Sequence, residues 1–100
     1  MTPKEFAEAW KKERDYFHSE EYLAKKVASL QLPSEKAAEI TSLFGTVLTD
    51  VFFSLLCGLD GSASIGDIQT AYEIKDEHGN VLCNGDGVLE TEAWELFHGP

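Results

Sequence analysis

Carboxylates are the side chains whose number and placement in this sequence could do chemistry. Residues 1–36 contain seven acids and seven bases, whose formal charges cancel. Residues 37–100 contain eleven acids and a single base, Lys75, and so carry the whole net charge of −10. A concentrated negative field attracts a basic protein surface and repels nucleic acid and anionic membranes. We therefore predict a basic protein partner, no nucleic acid and no membrane, with solubility alone as the plain alternative explanation of the charge.

Seven of these carboxylates are predicted to form the partner-binding surface, because they lie in the loop after the helical part, on the hairpin or around the start of the last helix. They are Asp60, Asp67, Glu73, Asp76, Glu77, Asp86 and Glu92. Glu90 and Glu95 belong to the same last helix. If the hairpin packs against that helix, the carboxylates share one region that would steer a basic partner and speed its association.

The glycine-rich loop 58–67 is a second place where a ligand could bind, since its backbone N–H groups could face an anion. Its sequence matches neither the P-loop nor the dinucleotide fingerprint, and Asp60 and Asp67 would repel phosphate. Aspartates scattered in turns are usually turn-formers, and the spacing of a calcium-binding loop is absent. We predict a connector here, with no cofactor and no metal.

Histidine and cysteine could supply acid–base, metal or nucleophilic chemistry, but their spacing supports none of these. His18, His78 and His98 are far apart in the sequence and are expected to be exposed. Cys57 and Cys83 follow apolar residues and have no nearby base, which is typical of buried structural thiols. No catalytic residue is predicted, and the chain is interpreted as a protein that is not an enzyme.

The apolar segments favour a cytoplasmic protein. The N-terminal residues lack the apolar core of a signal peptide. The longest apolar run, Val47–Leu59, is interrupted by polar residues and is shorter than the roughly 20 residues that span a bilayer. Two cysteines in 100 residues make no disulfide framework, which agrees with a reducing compartment.

Three helices are predicted in residues 1–57. The first starts at the capping box of Thr2 and Glu5. The second begins after Ser19 and is ended by Pro33. The third is capped by Ser34, carries a wide apolar stripe and stops at the glycine that follows Cys57.

Strands are predicted after the third helix, where the hydrophobic period changes from helical to alternating. Residues 68–75 and 81–83 form a hairpin, and Val88 and Leu89 add a possible third strand within the region 68–90. Residues 90–98 then form a short helix. The predicted fold is one α+β domain over residues 1–100. In it an N-terminal three-helix layer packs on a small antiparallel hairpin or meander, with a short C-terminal helix.

Three functions are compatible with this sequence. The first is a non-enzymatic acidic interaction domain, inhibitor-like, immunity-like or accessory. In size and acidity the chain is similar to many small bacterial proteins, including nuclease inhibitors and toxin-immunity proteins, a similarity of composition that transfers no residue. The second is a homodimeric structural or accessory protein, because Phe53 and the apolar end of the third helix need a cover. The third is a small-molecule binder or enzyme with a cleft between the helices and the hairpin.

Overall fold

The computed structural model describes all 100 residues, and its first helix, α1 (Pro3–Phe17), begins at the predicted capping box. The Thr2 hydroxyl accepts a hydrogen bond from the backbone N–H of Glu5 at 3.1 Å, and the Glu5 carboxylate accepts one from the backbone N–H of Thr2 at 3.0 Å. Pro3 occupies the first helical position, where its missing N–H costs nothing. A cap of this kind stabilises a helix by about 1 kcal/mol.

The second helical segment is shorter and less regular than predicted. Ser19 caps it as expected, accepting from the backbone N–H of Tyr22 at 3.2 Å. A π-helical turn, Glu20–Ala24, then leads into α2 (Lys25–Ala28). α2 ends at Ala28, five residues before Pro33, and the turn that follows it includes Gln31, whose backbone is left-handed with a φ of 54°.

The third helix, α3 (Ser34–Leu59), is the longest element. Ser34 lies inside it and makes no side-chain cap, so the predicted capping role is wrong. Gly45 does not interrupt it. A glycine is needed here because His18 approaches closely: a Cβ at this position would lie 2.9 Å from Nε2 of His18. That nitrogen lies 2.9 Å from the carbonyl oxygen of Thr41 and donates to it, so the imidazole links the C-terminal end of α1 to α3.

The hairpin consists of β1 (Ile74–Lys75) and β2 (Val81–Cys83), which pair antiparallel. Ile74 lies opposite Cys83, and the register shifts before Lys75 pairs with Val81. The prediction of a strand from residue 68 is wrong in length, because residues 69–73 have no neighbouring strand. In that stretch the backbone N–H of Tyr72 instead donates to the carbonyl of Leu59 at 3.1 Å.

The last helix, α4 (Val88–Phe97), starts two residues earlier than predicted, and the possible third strand at Val88 and Leu89 is wrong. The turn before it enforces the helix. Gly87 has a φ of 85°, which few other residues adopt, and the Asp86 carboxylate accepts from the backbone N–H of Val88 at 3.0 Å. Leu89 is thereby fully buried in the core.

The core lies where α1, the end of α3, β2 and α4 meet. Its fully enclosed side chains come from all four elements and are Ala7, Leu56, Cys83, Leu89 and Ala93. The N-terminal helices pack against the hairpin and the C-terminal helix, so the fold is α+β as predicted. The expected cover for Phe53 comes from Trp94 of α4 and from His98 directly after it, whose rings lie 5.9 and 4.6 Å from that of Phe53 between centroids.

The molecule is elongated and its core is thin. It measures 48 × 29 × 25 Å, and its radius of gyration of 15.9 Å exceeds the about 13 Å expected for 100 residues. Only 12 of the 100 residues are buried, and much of α3 is uncovered. By length and composition α3 meets the criterion for a membrane-crossing helix, with a mean hydropathy of 1.7 over 18 residues, which core helices and signal sequences also meet. The apolar run taken from the sequence, Val47–Leu59, covers only 13 residues and therefore understates the apolar length of this helix.

Candidate interaction site beside the last helix

Asp60, one of the predicted partner-binding residues, acts inside the fold. It is only 5% exposed. Its Oδ1 accepts from the backbone N–H of Gly85 at 3.0 Å, and its Oδ2 accepts from that of Glu90 at 3.1 Å. Because both carboxylate oxygens are occupied by backbone donors, Asp60 positions the loop before α4 and does not contribute to a docking surface.

Asp76 is also chiefly a turn-former. Its carboxylate accepts from the side-chain amide of Asn80 at 2.8 Å and from the backbone N–H groups of Asn80 and His78, both at 2.9 Å. The N-terminal amino group of Met1 lies 3.2 Å from Oδ2. These donors, led by the Asn80 amide, hold the pKa of Asp76 well below its usual range.

The remaining predicted acids of the loop and hairpin are exposed and scattered. Glu73 pairs with Lys75 at 3.1 Å, and Glu77 lies 3.4 Å from the ring of His78. Asp67 makes no ion pair and sits at the tip of the loop, with a φ of 66°. Surface pairs of this kind contribute little free energy, so this part of the surface is only weakly organised.

The unpaired negative charge is concentrated on α4 and the turn before it. None of Asp86, Glu90, Glu92 and Glu95 forms an ion pair anywhere in the structure, and no Lys or Arg lies on this helix. The hairpin and α4 pack together through β2 and the core. Of the predicted surface, only Asp86 and Glu92 belong to this group.

Two of these carboxylates border a cleft together with aromatic rings. The cleft has a volume of about 440 Å³ and is lined by Phe53, Asp86, Gly87, Glu90, Thr91 and Trp94. Trp94 is 53% exposed, and its indole packs against the rings of Phe53 and His98, with centroid distances of 5.9 and 5.1 Å. An exposed aromatic residue beside carboxylates is a combination that can recognise a guanidinium or ammonium group, through cation–π attraction and charge-assisted hydrogen bonds.

Sequence reasoning missed the aromatic half of this site. Trp94 lies outside the apolar stripe of the terminal helix that Leu89, Ala93 and Leu96 define, and that displacement was a usable signal. It also lies four residues after Glu90, a spacing that places two side chains on one helix face. Phe53 had been singled out as needing a cover, but the sequence does not say that α4 provides it.

A second pocket of about 420 Å³, with no hydrophobic residue in its lining, is bordered by two histidines that are distant in the sequence. His18 and His98 line it with Asp50 and Arg14, whereas His78 lies apart in the hairpin turn. His18 is half-buried, which corrects the expectation that all three histidines are exposed. The Arg14 guanidinium is already bonded to Thr49, Asp15 and the carbonyl of Gly45. The structure contains no group of three or more His, Cys, Asp or Glu side chains placed to hold a metal ion.

The most apolar cleft lies among the helices. It has a volume of about 350 Å³, and seven of its eight lining residues are hydrophobic, including Phe17, Leu30 and Phe44. A ligand cleft was predicted elsewhere, between the helices and the hairpin. No pocket lies there, because residues 74–83 line none of the four pockets.

Both cysteines are free and buried. Burial raises the pKa of each thiol. The Cys83 thiol donates to the carbonyl of Leu59 at 3.1 Å, which ties β2 to the end of α3. These are the properties of structural thiols.

Comparison with protein-family models, curated proteins and solved structures found no match to this chain. The interpretation of the site therefore depends on its own geometry and charge.

Proposed function

We propose that this chain is a non-enzymatic, cytoplasmic interaction domain that binds a basic protein surface, with the cleft beside α4 receiving an arginine or lysine side chain of the partner. The observation that carries this proposal is the cleft itself, in which Asp86, Glu90 and the exposed ring of Trp94 face one space. Nucleic acid and anionic membranes are disfavoured by the same carboxylates.

The charges and the ring have different roles in this proposal. The four unpaired carboxylates of Asp86 and α4 attract a basic partner from a distance, an effect that salt weakens. Trp94 is the anchor, because exposed aromatic rings that become desolvated on binding often dominate interface energies. A cation over an indole contributes about 0.5–2 kcal/mol, depending on how far it is desolvated.

A peptide titration tests the proposal. The probe is a dye-labelled nonapeptide with three arginines separated by glycine and serine, and the control peptide carries citrulline, which keeps the shape and hydrogen-bonding groups but removes the charge. Fluorescence anisotropy at low salt should show binding of the arginine peptide and at least 10-fold weaker binding of the citrulline peptide. Raising the salt concentration should weaken the arginine complex.

Two glutamates of α4 provide a matched pair of variants. Glu90 lines the cleft and Glu95 does not, so Glu90→Gln and Glu95→Gln change the net charge equally but only the first alters the cleft. We expect Glu90→Gln to raise the Kd about 5- to 10-fold and Glu95→Gln to raise it less than 2-fold. Trp94→Ala should weaken binding about as much as Glu90→Gln. Equal effects of the two glutamine variants would reduce the interaction to unspecific charge attraction and contradict a cleft-based site.

A further inference from the structure

The exposed side of α3 forms a continuous apolar surface with no cover. Leu43, Val47 and Val51 recur every four residues and are 62%, 45% and 54% exposed, and Phe44 lies beside them. We call these four residues the α3 apolar face. None of them is charged, although the chain as a whole carries a net charge of −10. Exposed apolar patches of this kind are often contact sites.

The α3 apolar face continues past the end of the stripe. Ile65 packs on the backbone of Gly58, so closely that a Cβ at Gly58 would collide with the isoleucine side chain. The exposed part of Ile65 therefore extends the apolar surface beyond Val51. Ile68, which pairs with Ile65 in a small bridge, is 62% exposed. At the other end, Leu30 and Phe44 line the same apolar cleft, and Leu30 is 59% exposed.

The size of this surface matches what a homodimer needs. These seven apolar residues are each about half exposed, which amounts to roughly 400–500 Å² of apolar surface when a side chain offers on the order of 100–150 Å². A standard interface buries about 800 Å² per partner, of which about 65% is apolar in homodimers. Because the largest apolar patch of an ordinary monomer is also about 300–600 Å², the area permits a homodimer, and the charges along α3 favour one.

Charge at the two ends of the face favours an antiparallel arrangement. Lys36 is 11 residues before Val47 and Gly58 is 11 residues after it, so each lies about 16 Å from Val47 along the helix. Asp67 adjoins Ile68 at the Gly58 end and has no ion pair. A two-fold axis at Val47 would bring Lys36 of one copy to the Gly58 end of the other, where Asp67 lies in the turn between Ile65 and Ile68. Lys36 has an exposed partner within its own helix, Glu39 at 3.4 Å, and the acid of the second copy would add to that attraction.

A bilayer is a poorer cover for α3. Asp50 lies in the middle of the helix, and Arg14 packs on the same polar side through Thr49 and the carbonyl of Gly45. A membrane-spanning α3 would carry both charges into hydrocarbon, at a cost of several kcal/mol on insertion scales.

We propose that a second copy of this chain covers the α3 apolar face, with the two α3 helices antiparallel about an axis at Val47.

The mass in solution and a cross-link test this proposal. Sedimentation velocity of the full chain should give twice the chain mass of 11.1 kDa, and added salt should not weaken the dimer, because its contacts are apolar and salt screens the repulsion between two acidic chains. Val47→Glu should return the chain to a monomer, with a dimer Kd raised at least 100-fold, since a buried unpaired carboxylate is strongly unfavourable. Thr46→Glu, on the polar side of the same helix, should leave the dimer intact. Circular dichroism checks that each variant is folded, and Val51→Glu replaces Val47→Glu if the latter unfolds.

The cross-link reports the axis directly. Val47→Cys should form an intermolecular disulfide under mild oxidation, whereas Thr46→Cys should not. A wild-type chain that stays monomeric at about 100 µM would overturn the proposal. A dimer that survives Val47→Glu and Val51→Glu would also overturn it, as would a monomer that floats with phosphatidylcholine–phosphatidylglycerol vesicles. Glu90→Gln alters the cleft but not the α3 apolar face, so it should leave the mass of the dimer unchanged. The dimer and the cleft are therefore tested independently.

Discussion

The carboxylate of Asp60 holds the first turn of the last helix, because its Oδ2 accepts from the backbone N–H of Glu90 at 3.1 Å while Oδ1 accepts from that of Gly85 at 3.0 Å. Asp60 directly follows the last residue of α3 and occupies its C-cap position. The contact therefore fixes the position of α4 relative to the longest helix. It also places Asp86 and Glu90 at the cleft, so a buried acid orients one exposed and one half-buried acid.

Replacing Asp60 by asparagine should destabilise the fold by about 2–3 kcal/mol. The amide group would present a donor to one of the two part-buried backbone N–H groups, which leaves that N–H without its partner. Urea unfolding at neutral pH measures the change, and Asp67→Asn is the matched control because it makes the same chemical change on an exposed residue. A difference of less than 0.5 kcal/mol between the two variants would mean that Asp60 does not hold the loop.

Gly45→Ala should destabilise the protein by about 1 kcal/mol, although alanine is the better helix former. The new Cβ would lie 2.9 Å from His18 Nε2 and would displace the ring from its hydrogen bond with Thr41. In a His18→Ala background the same substitution should stabilise by about 0.5–1 kcal/mol, because only helix propensity then remains. A double-mutant cycle measured by thermal or urea unfolding gives this coupling, and additive effects would contradict the close approach.

Asp76 should make the protein sensitive to acid. The pKa of Asp76 is held below the about 3.9 of an unfolded aspartate by the Asn80 amide and neighbouring N–H donors. Its contribution is therefore fully present above that value and is lost as the pH falls through the lower folded-state pKa. We expect Asp76→Asn to be less stable than the wild type at pH 6, with a difference in unfolding free energy that shrinks steadily below pH 4. A difference independent of pH between 2 and 6 would contradict this account.

The thiols of Cys57 and Cys83 should resist labelling in the folded protein. Both are buried, and burial raises the pKa of each, which lowers the thiolate fraction. An aromatic disulfide reagent at pH 8 should label fewer than one thiol per chain within minutes, and two after denaturation in guanidinium. Immediate reaction of either thiol in the native protein would show that the end of α3 or β2 opens readily.

The sequence was informative where local chemistry decides the outcome. The capping box at Thr2 and Glu5 and the hairpin turn held by Asp76 depend on residues within five positions of each other, and both elements are present. The helical period also identified α1, α3 and α4 correctly, apart from their ends.

Tertiary contacts decided the rest. Residues 69–73 alternate like a strand but found no partner strand, and the apolar pair Val88 and Leu89 joined α4 because Asp86 caps it. The burial of Asp60 was not visible in the sequence, because its backbone partners lie 25 and 30 residues away. The cleft was missed for the same reason, since Phe53 and Trp94 meet only when α4 packs on α3.

A chemical-shift map of ¹⁵N-labelled protein titrated with the three-arginine peptide tests the proposed function most directly. We predict that the backbone signals of residues 86–94 and the indole N–H of Trp94 shift in a saturable way, and that the citrulline peptide shifts them little. The indole N–H of Trp10, which packs against Phe6 and Phe52, should not move. Shifts spread evenly over the acidic hairpin and α4, or concentrated on the α3 apolar face, would contradict the assignment of the binding site to the cleft.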